Sequence, residues 1–64
     1  ISVNGETREV ADDSTVGDLV RALDLEGRRI AVELNRAIVP REHYATQRLA
    51  AGDAVEIVHF VGGG

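Results

Sequence analysis

The spacing of the hydrophobic residues changes along this chain, and each spacing predicts a different structural element. The first four residues alternate apolar and polar, and the Asn4-Gly5 pair at the end of this stretch is a strong signal for a β-hairpin turn. We expect a weak, polar return strand over about residues 7–10, with Val10 facing the core. The chain is therefore predicted to open with a hairpin.

A helical spacing follows the hairpin. Four apolar residues at i, i+3, i+4 and i+7 cover one face of a helix: Val16, Leu19, Val20 and Leu23. Either Ser14 or Thr15 can cap its start, and Asp18 stands three residues after Thr15 in a variant of the capping box. The pattern predicts a helix that runs to about Leu25, with Gly27 marking its exit.

Alternation returns in the second half of the chain. The apolar residues of Ile30–Leu34 predict one strand, Asn35-Arg36 turns the chain, and Ala37–Val39 predicts a short strand that Pro40 ends. The polar stretch from Arg41 to Leu49 is expected to form a loop with a short helical turn, and the longest strand is predicted from residue 54 to residue 61. Three glycines follow this strand directly.

These elements predict an α+β fold, because one amphipathic helix has one apolar face to bury and a sheet offers a face to receive it. We expect a roll in which one helix packs across a mixed sheet of four to five strands. The folded domain is assigned to residues 1–61 and a flexible C-terminal glycine tail to residues 62–64.

The composition narrows the possible chemistry. The chain has no cysteine and only two histidines, so we expect neither a thiolate nucleophile nor a metal site. Its net charge of −4 argues against nucleic acid or an anionic membrane as a partner. No apolar run approaches the roughly 20 residues of a membrane span, and no charged-then-apolar leader precedes the fold, so we expect a cytoplasmic protein.

Motifs for enzymatic chemistry are missing from the sequence. It contains no Walker A loop, no GxGxxG fingerprint and no nucleophile elbow, and the three final glycines precede no helix that could hold a phosphate. We therefore expect a protein that is a substrate of enzymes, without a cofactor of its own.

Three segments carry a likeness to a known family: VNGETREV near the start, AVELNRAIVPREHYA in the middle and GDAVEIVHFVGGG at the end. Together they resemble the ubiquitin-like β-grasp proteins and, more narrowly, the ThiS family of sulfur carriers in thiazole (thiamin) biosynthesis. The Val39-Pro40-Arg41 step followed by Tyr44 is the more distinguishing feature, since the whole superfamily shares the final diglycine. Family members commonly carry a bulkier residue where Gly62 stands.

The resemblance implies a β-grasp roll and places the chemistry on the C-terminal carboxylate of Gly64. In such carriers a ThiF-type enzyme, similar to the ubiquitin-activating enzymes, uses ATP to convert this carboxylate into an acyl adenylate. Sulfur from a donor such as a cysteine desulfurase then displaces AMP, and the resulting thiocarboxylate passes sulfur to a ThiG-type thiazole synthase. Gly62 and Gly63 suit a tail that must thread a narrow channel, because glycine accepts nearly any backbone angles.

Three alternative functions stay open at this point. The small subunit of molybdopterin synthase has the same fold and tail chemistry, and a ubiquitin-like protein modifier uses the same activation. A plain interaction domain with an inert tail is the third. The Val39-Pro40-Arg41 step and the short length favour the thiazole carrier, and the lack of lysine argues against chains of this protein built on itself.

The last predicted strand also supplies a candidate partner surface. Val55 and Ile57 share one face, and alternation puts Val58 and Phe60 on the other face with Glu56. Because the helix covers one face of the sheet, we expect Val58 and Phe60 to be exposed beside the tail, as in a partner-binding patch. The alternatives are that Phe60 folds over a sheet edge or that a second copy covers it.

Other polar residues receive structural interpretations. His59 could shuttle a proton near the tail, although a strand histidine at the solvent margin is the commoner case. The adjacent Asp12 and Asp13 predict a turn better than a catalytic pair. The acidic surplus is expected to steer the protein toward basic clefts on its partners.

Overall fold

The computed structural model describes residues 1–60, and these residues fold as one α-helix across a five-stranded sheet of order β2-β1-β5-β3-β4. The elements in chain order are β1 (Ser2–Val3), β2 (Glu6–Thr7), α1 (Val16–Ala22), β3 (Ile30–Leu34), β4 (Ala37–Val39), a short 3₁₀ helix (Arg41–His43) and β5 (Ala54–His59). β1 runs parallel to β5, and the other neighbouring strands are antiparallel. The predicted α+β roll with a mixed sheet is confirmed.

The core lies between α1 and one face of the sheet. Its buried residues are all aliphatic: Val16, Leu19, Val20, Ile30, Val32, Val39, Leu49, Val55 and Ile57. The helical stripe and the alternating strands predicted most of them. Leu49 was expected in a polar loop, but the loop is drawn against the helix start, where the Leu49 N–H donates to the Ser14 carbonyl at 2.8 Å.

The first hairpin has the predicted turn but a different second strand. Asn4 and Gly5 both have positive φ, 50° and 85°, which is the turn geometry that matches the twist of a two-stranded ribbon. The two-residue turn places Glu6 opposite Val3, so β2 covers Glu6–Thr7 and not residues 7–10. Val10 lies outside the strand and still packs against the core, as expected.

The capping box at the start of α1 is confirmed. The Asp18 N–H donates to Thr15 Oγ1 at 3.2 Å, and the Thr15 N–H donates to Asp18 Oδ2 at 2.9 Å. These two bonds satisfy backbone donors that the first turn of a helix leaves without partners. Thr15, and not Ser14, is therefore the cap.

The helix ends at Ala22, earlier than the predicted Leu25. Asp24 has a left-handed φ of 60°, so the chain leaves the helix there and not at Gly27. The Asp24 N–H donates to the Arg21 carbonyl at 3.0 Å and the Leu25 N–H to the Val20 carbonyl at 2.9 Å. This is a Schellman ending, and Leu25 packs on the core just beyond it.

A glycine inside the helix has a packing reason. The Gly17 N–H donates to the Tyr44 carbonyl at 2.8 Å, and a Cβ on Gly17 would stand 3.2 Å from that same oxygen. The loop after β4 therefore lies directly on the helix start. Tyr44 is half-buried against the core.

β5 is shorter than predicted. The strand was expected to reach Val61, but its last ladder pair joins His59 to Ile30, the first residue of β3. Phe60 follows the strand, and its N–H still donates to the Arg29 carbonyl at 2.9 Å. Val61 and the predicted tail at residues 62–64 lie outside the described residues.

Within residues 1–60, no helix is long and apolar enough to cross a membrane. The seven-residue α1 is amphipathic, and its apolar side is used by the core.

Candidate functional site

The residue predicted to carry the chemistry is Gly64, which lies outside the described residues together with Gly62 and Gly63. The described part of the site is therefore the root of the tail, where β5 ends. The start of β3 holds this root through the His59–Ile30 pair and through the hydrogen bond from Phe60 to Arg29. The body of the fold fixes the chain up to four residues before Gly64.

The two faces of β5 have the burial that alternation predicted. Val55 and Ile57 are 1% and 7% exposed on the helix side. Val58 and Phe60 are 52% and 60% exposed on the opposite side, which no helix of the described residues covers. The exposure of Val58 and Phe60 is confirmed, and their role as a partner surface stays a prediction.

Sequence analysis missed a third exposed apolar residue on the same face. Ile38 of β4 is 63% exposed and lies opposite Glu33 of β3, which in turn lies opposite Glu56 of β5. Paired residues share a face of the sheet, so Ile38 belongs with Val58. The signal was available, because Ile38 alternates with the buried Val39. We call Ile38, Val58 and Phe60 the open-face patch.

Two carboxylates lie beside this patch. Glu33 and Glu56 face each other across β3 and β5, and like charges directly opposite on a sheet are destabilising. Neither takes part in an ion pair among residues 1–60. A basic side chain presented by a partner would relieve this repulsion while its apolar neighbours cover the patch.

The histidine and the acidic pair have the structural settings that were expected. His59 is exposed at the end of β5. Asp12 and Asp13 form a turn, in which Asp13 accepts a hydrogen bond from Arg48 at 3.3 Å. In the part of the chain that the structure describes, no group of three or more metal-ligating side chains comes together.

Two carboxyl groups have shifted pKa values, and both belong to structural motifs. The Asn35 side chain and the Ala50 N–H donate to Asp53, and they hold the pKa of Asp53 below its usual value. The backbone N–H of Thr15 does the same for the pKa of Asp18 in the capping box. The hydrogen bonds that cause these shifts stabilise a helix start and a turn, and the lowered pKa values are not signs of acid–base chemistry.

Comparison with known families gives one match over the whole chain. The sequence matches the model of the ThiS family over residues 1–64. It is 38% identical over 65 residues to the sulfur carrier protein ThiS of Bacillus subtilis, covering 100% of this chain and 98% of that protein. The two chains therefore align over nearly their full lengths.

A second relative is much longer. The chain is 44% identical over 62 residues to the thiazole synthase of Paramagnetospirillum magneticum, covering 97% of this chain but 19% of that protein. The chain thus spans about a fifth of the length of that relative.

A solved structure has the same fold. The crystal structure of the thiamine biosynthesis protein ThiS from Geobacter metallireducens superposes with a TM-score of 0.80 at 36% identity, covering 98% of this chain and 96% of that one. The two chains therefore share one fold over nearly their full lengths.

Proposed function

The chain belongs to the ThiS family, and from this membership we propose that it is a cytoplasmic sulfur carrier for thiazole synthesis in thiamin biosynthesis. The group that carries sulfur is the α-carboxylate of Gly64. The protein is a co-substrate of its partner enzymes, and the fold serves to present the tail to them.

One observation carries the proposal. The chain aligns from end to end with the Bacillus subtilis sulfur carrier, and 98% of that protein is covered. A match of this kind leaves no room in that relative for a separate catalytic domain. It supports the thiazole carrier over the molybdopterin synthase subunit and over a protein modifier.

The chemistry requires a free carboxylate at Gly64. A carboxylate oxygen attacks the α-phosphorus of ATP, and pyrophosphate leaves with the electron pair of the broken P–O bond. A sulfide equivalent then attacks the carbonyl carbon of the acyl adenylate, the C–O bond to AMP breaks, and AMP leaves. The product is a thiocarboxylate, and no net oxidation or reduction occurs because sulfur enters at the sulfide level.

The partners are assigned by the same family chemistry. The thiazole synthase of Paramagnetospirillum magneticum contains a region similar to this chain, which supports a ThiG-type synthase as the acceptor of sulfur. A ThiF-type adenylating enzyme and a sulfur donor such as a cysteine desulfurase complete the cycle. A desulfurase delivers persulfide sulfur, so its attack forms an acyl disulfide, and a thiol then reduces that disulfide to release the thiocarboxylate. Val58 and Phe60 are proposed to contact these partners, with Ile38 added from the structure.

Mass spectrometry of the intact protein tests the proposal. After incubation with ATP, sulfide and a ThiF-type enzyme, we expect the mass increase of one oxygen replaced by one sulfur. A chain that lacks Gly64 still ends in a glycine carboxylate, but that carboxylate stands up to ~3.3–3.6 Å short, the length of one fully extended residue. We expect this variant to stay folded and to load no sulfur.

The controls separate the possible failures. A chain with one alanine added after Gly64 moves the carboxylate by the same distance in the opposite direction, and it should also fail to load. Equal loading of all three chains would contradict a role for Gly64. Capture by a molybdopterin synthase large subunit in preference to a thiazole synthase would move the assignment to the alternative carrier.

A further inference from the structure

The backbone of β5 points its hydrogen-bonding groups to alternate sides, and the structure shows which residues point where. The Phe60 N–H reaches Arg29, and antiparallel pairing repeats every second residue, so Val58 also points toward β3. The Val55 carbonyl and the Ile57 N–H point the other way, toward β1. By the same alternation, the N–H and C=O of His59 point to the β1 side.

β1 is too short to reach His59. Its ladder with β5 has two pairs, Ser2 with Ala54 and Val3 with Val55, and then the chain turns away at Asn4. On this side β5 is therefore an inner strand at its start and an edge strand at its end. Within residues 1–60, no strand lies opposite the outward-facing backbone of His59.

The side chain of Asn4 adds one more pair of hydrogen bonds along this side of β5. Its Oδ1 accepts from the Ile57 N–H at 2.7 Å, and its Nδ2 donates to the Ile57 carbonyl at 3.2 Å. The amide therefore takes the place of the peptide group that a longer β1 would have offered. The next outward-facing residue of β5 is His59, for which residues 1–60 offer no such substitute.

A groove runs beside this free edge. It is lined by four apolar residues, Val3, Leu23, Leu25 and Ile57, and by five polar or charged residues, Asn4, Glu6, Thr7, Arg8 and His59. A peptide in extended conformation would fit the two features together. Its backbone could pair with His59 while every second side chain entered the groove.

We propose that the partner enzyme adds a strand to the sheet here: an extended segment of the ThiF-type adenylating enzyme pairs with the outward-facing backbone of His59, beside Asn4. This inference rests on the proposed function, because His59 lies five residues before the proposed reactive terminus. Strand addition is an established way to bind a peptide through main-chain hydrogen bonds. Pairing here holds the root of the tail in a defined direction without using a side chain.

The test distinguishes the contribution of the His59 backbone to binding from that of its side chain. His59→Pro removes the outward N–H, which no group among residues 1–60 accepts, whereas His59→Ala keeps that N–H and removes the imidazole. We expect His59→Pro to weaken binding of a purified ThiF-type enzyme by about tenfold, the typical effect of one lost hydrogen bond, and His59→Ala to bind like the unmodified chain. Titration calorimetry measures both.

A second pair of variants guards against a folding artefact. A chain of this length can be synthesised with an ester in place of one amide. An ester at residue 59 removes the outward N–H and also weakens the Val58 carbonyl, which faces β3, as a hydrogen-bond acceptor. An ester at residue 58 removes an N–H that faces β3 and leaves the N–H of His59 in place. The ester at 58 should lower the stability to urea more than the ester at 59 does, because it removes an N–H that pairs with β3. Only the ester at 59 should weaken binding as His59→Pro does.

The outcomes are distinct from those of the sulfur-loading experiment. If the unmodified chain loads sulfur and both residue-59 backbone variants bind as tightly as it does, strand addition is wrong and the carrier function stands. Strand addition is equally wrong if the His59 amide exchanges with solvent at an unchanged rate in the complex, or if a second copy of this chain takes the edge. Protection of that amide only in the complex supports the inference.

Discussion

The two halves of β5 differ in their neighbours. Residues 54–57 lie between β1 and β3, and the Asn4 amide completes their pairing. Residues 58–60 keep β3 on one side only and end at the root of the tail. One strand thus begins as the centre of the sheet and ends as an edge.

The side chains show the same division. Val55 and Ile57 are buried in the core, and Val58 and Phe60 are exposed on the open face. The first half therefore contributes most of the strand's stabilising contacts, and the second half offers its surface and its backbone to other molecules. A carrier needs both the stabilising contacts and the accessible surface, because a fixed root directs the tail and an accessible root allows enzymes to bind it.

The largest expected effect is a difference in stability between two alanine substitutions, one in each half of β5. Ile57→Ala should lower the free energy of unfolding by about 2–4 kcal/mol, since it removes buried methyl groups and leaves a cavity. Phe60→Ala should change stability by less than about 0.5 kcal/mol, because Phe60 is exposed. Urea unfolding followed by circular dichroism measures both values.

The surface variant of this pair also tests function. Phe60→Ala should slow activation by the adenylating enzyme although the fold is intact. If Phe60→Ala activates at the rate of the unmodified chain, the open-face patch loses its proposed role. If it unfolds as easily as Ile57→Ala, the division of β5 into two halves is wrong.

A smaller effect is expected at the boundary between the halves. Asn4→Gly keeps a residue that tolerates the left-handed φ of 50° but removes both hydrogen bonds to Ile57. We expect a loss of about 1–2 kcal/mol in the free energy of unfolding, together with faster exchange of the Ile57 amide. Thermal and urea unfolding with hydrogen exchange measure these effects.

Arg36→Gly is the matched control for this prediction. It introduces a glycine into the second hairpin, where Arg36 has a φ of 72°, and it removes no hydrogen bond to β5. Arg36→Gly should therefore not destabilise the protein. A similar loss in both variants would assign the effect of Asn4→Gly to glycine entropy and not to the Asn4 amide.

The smallest expected effect is on stability at low pH, and it depends on Asp53, just before β5. The folded-state pKa of Asp53 is lowered, so its contribution to stability is present above the unfolded pKa and is lost as the pH falls through the folded pKa. Asp53 is only half-buried, so solvent screens the interaction and the contribution should stay below about 1 kcal/mol. Asp53→Asn should flatten the fall of stability below about pH 4, measured by urea unfolding at several pH values. An unchanged slope would show that other carboxyl groups set the acid response.

The sequence by itself determined the element types, most of the core and the candidate tail. Periodicity identified the helical stripe, β3 and β4, because buried faces need apolar residues at fixed spacings. The Asn4-Gly5 turn and a cap at Ser14 or Thr15 were also predicted, since both depend on short-range geometry, and the structure selects Thr15 as the cap. The family resemblance came from the same printed residues.

The tertiary structure alone decided where each element stops and which edges stay open. The left-handed Asp24 ended the helix early, and the loop against Gly17 carried Leu49 into the core. Strand alternation can predict which face a side chain takes, but it says nothing of which neighbour stands beside the backbone. That neighbour is a long-range partner, 53 residues away for Asn4 and Ile57. The free edge at His59 is therefore a property of the folded sheet.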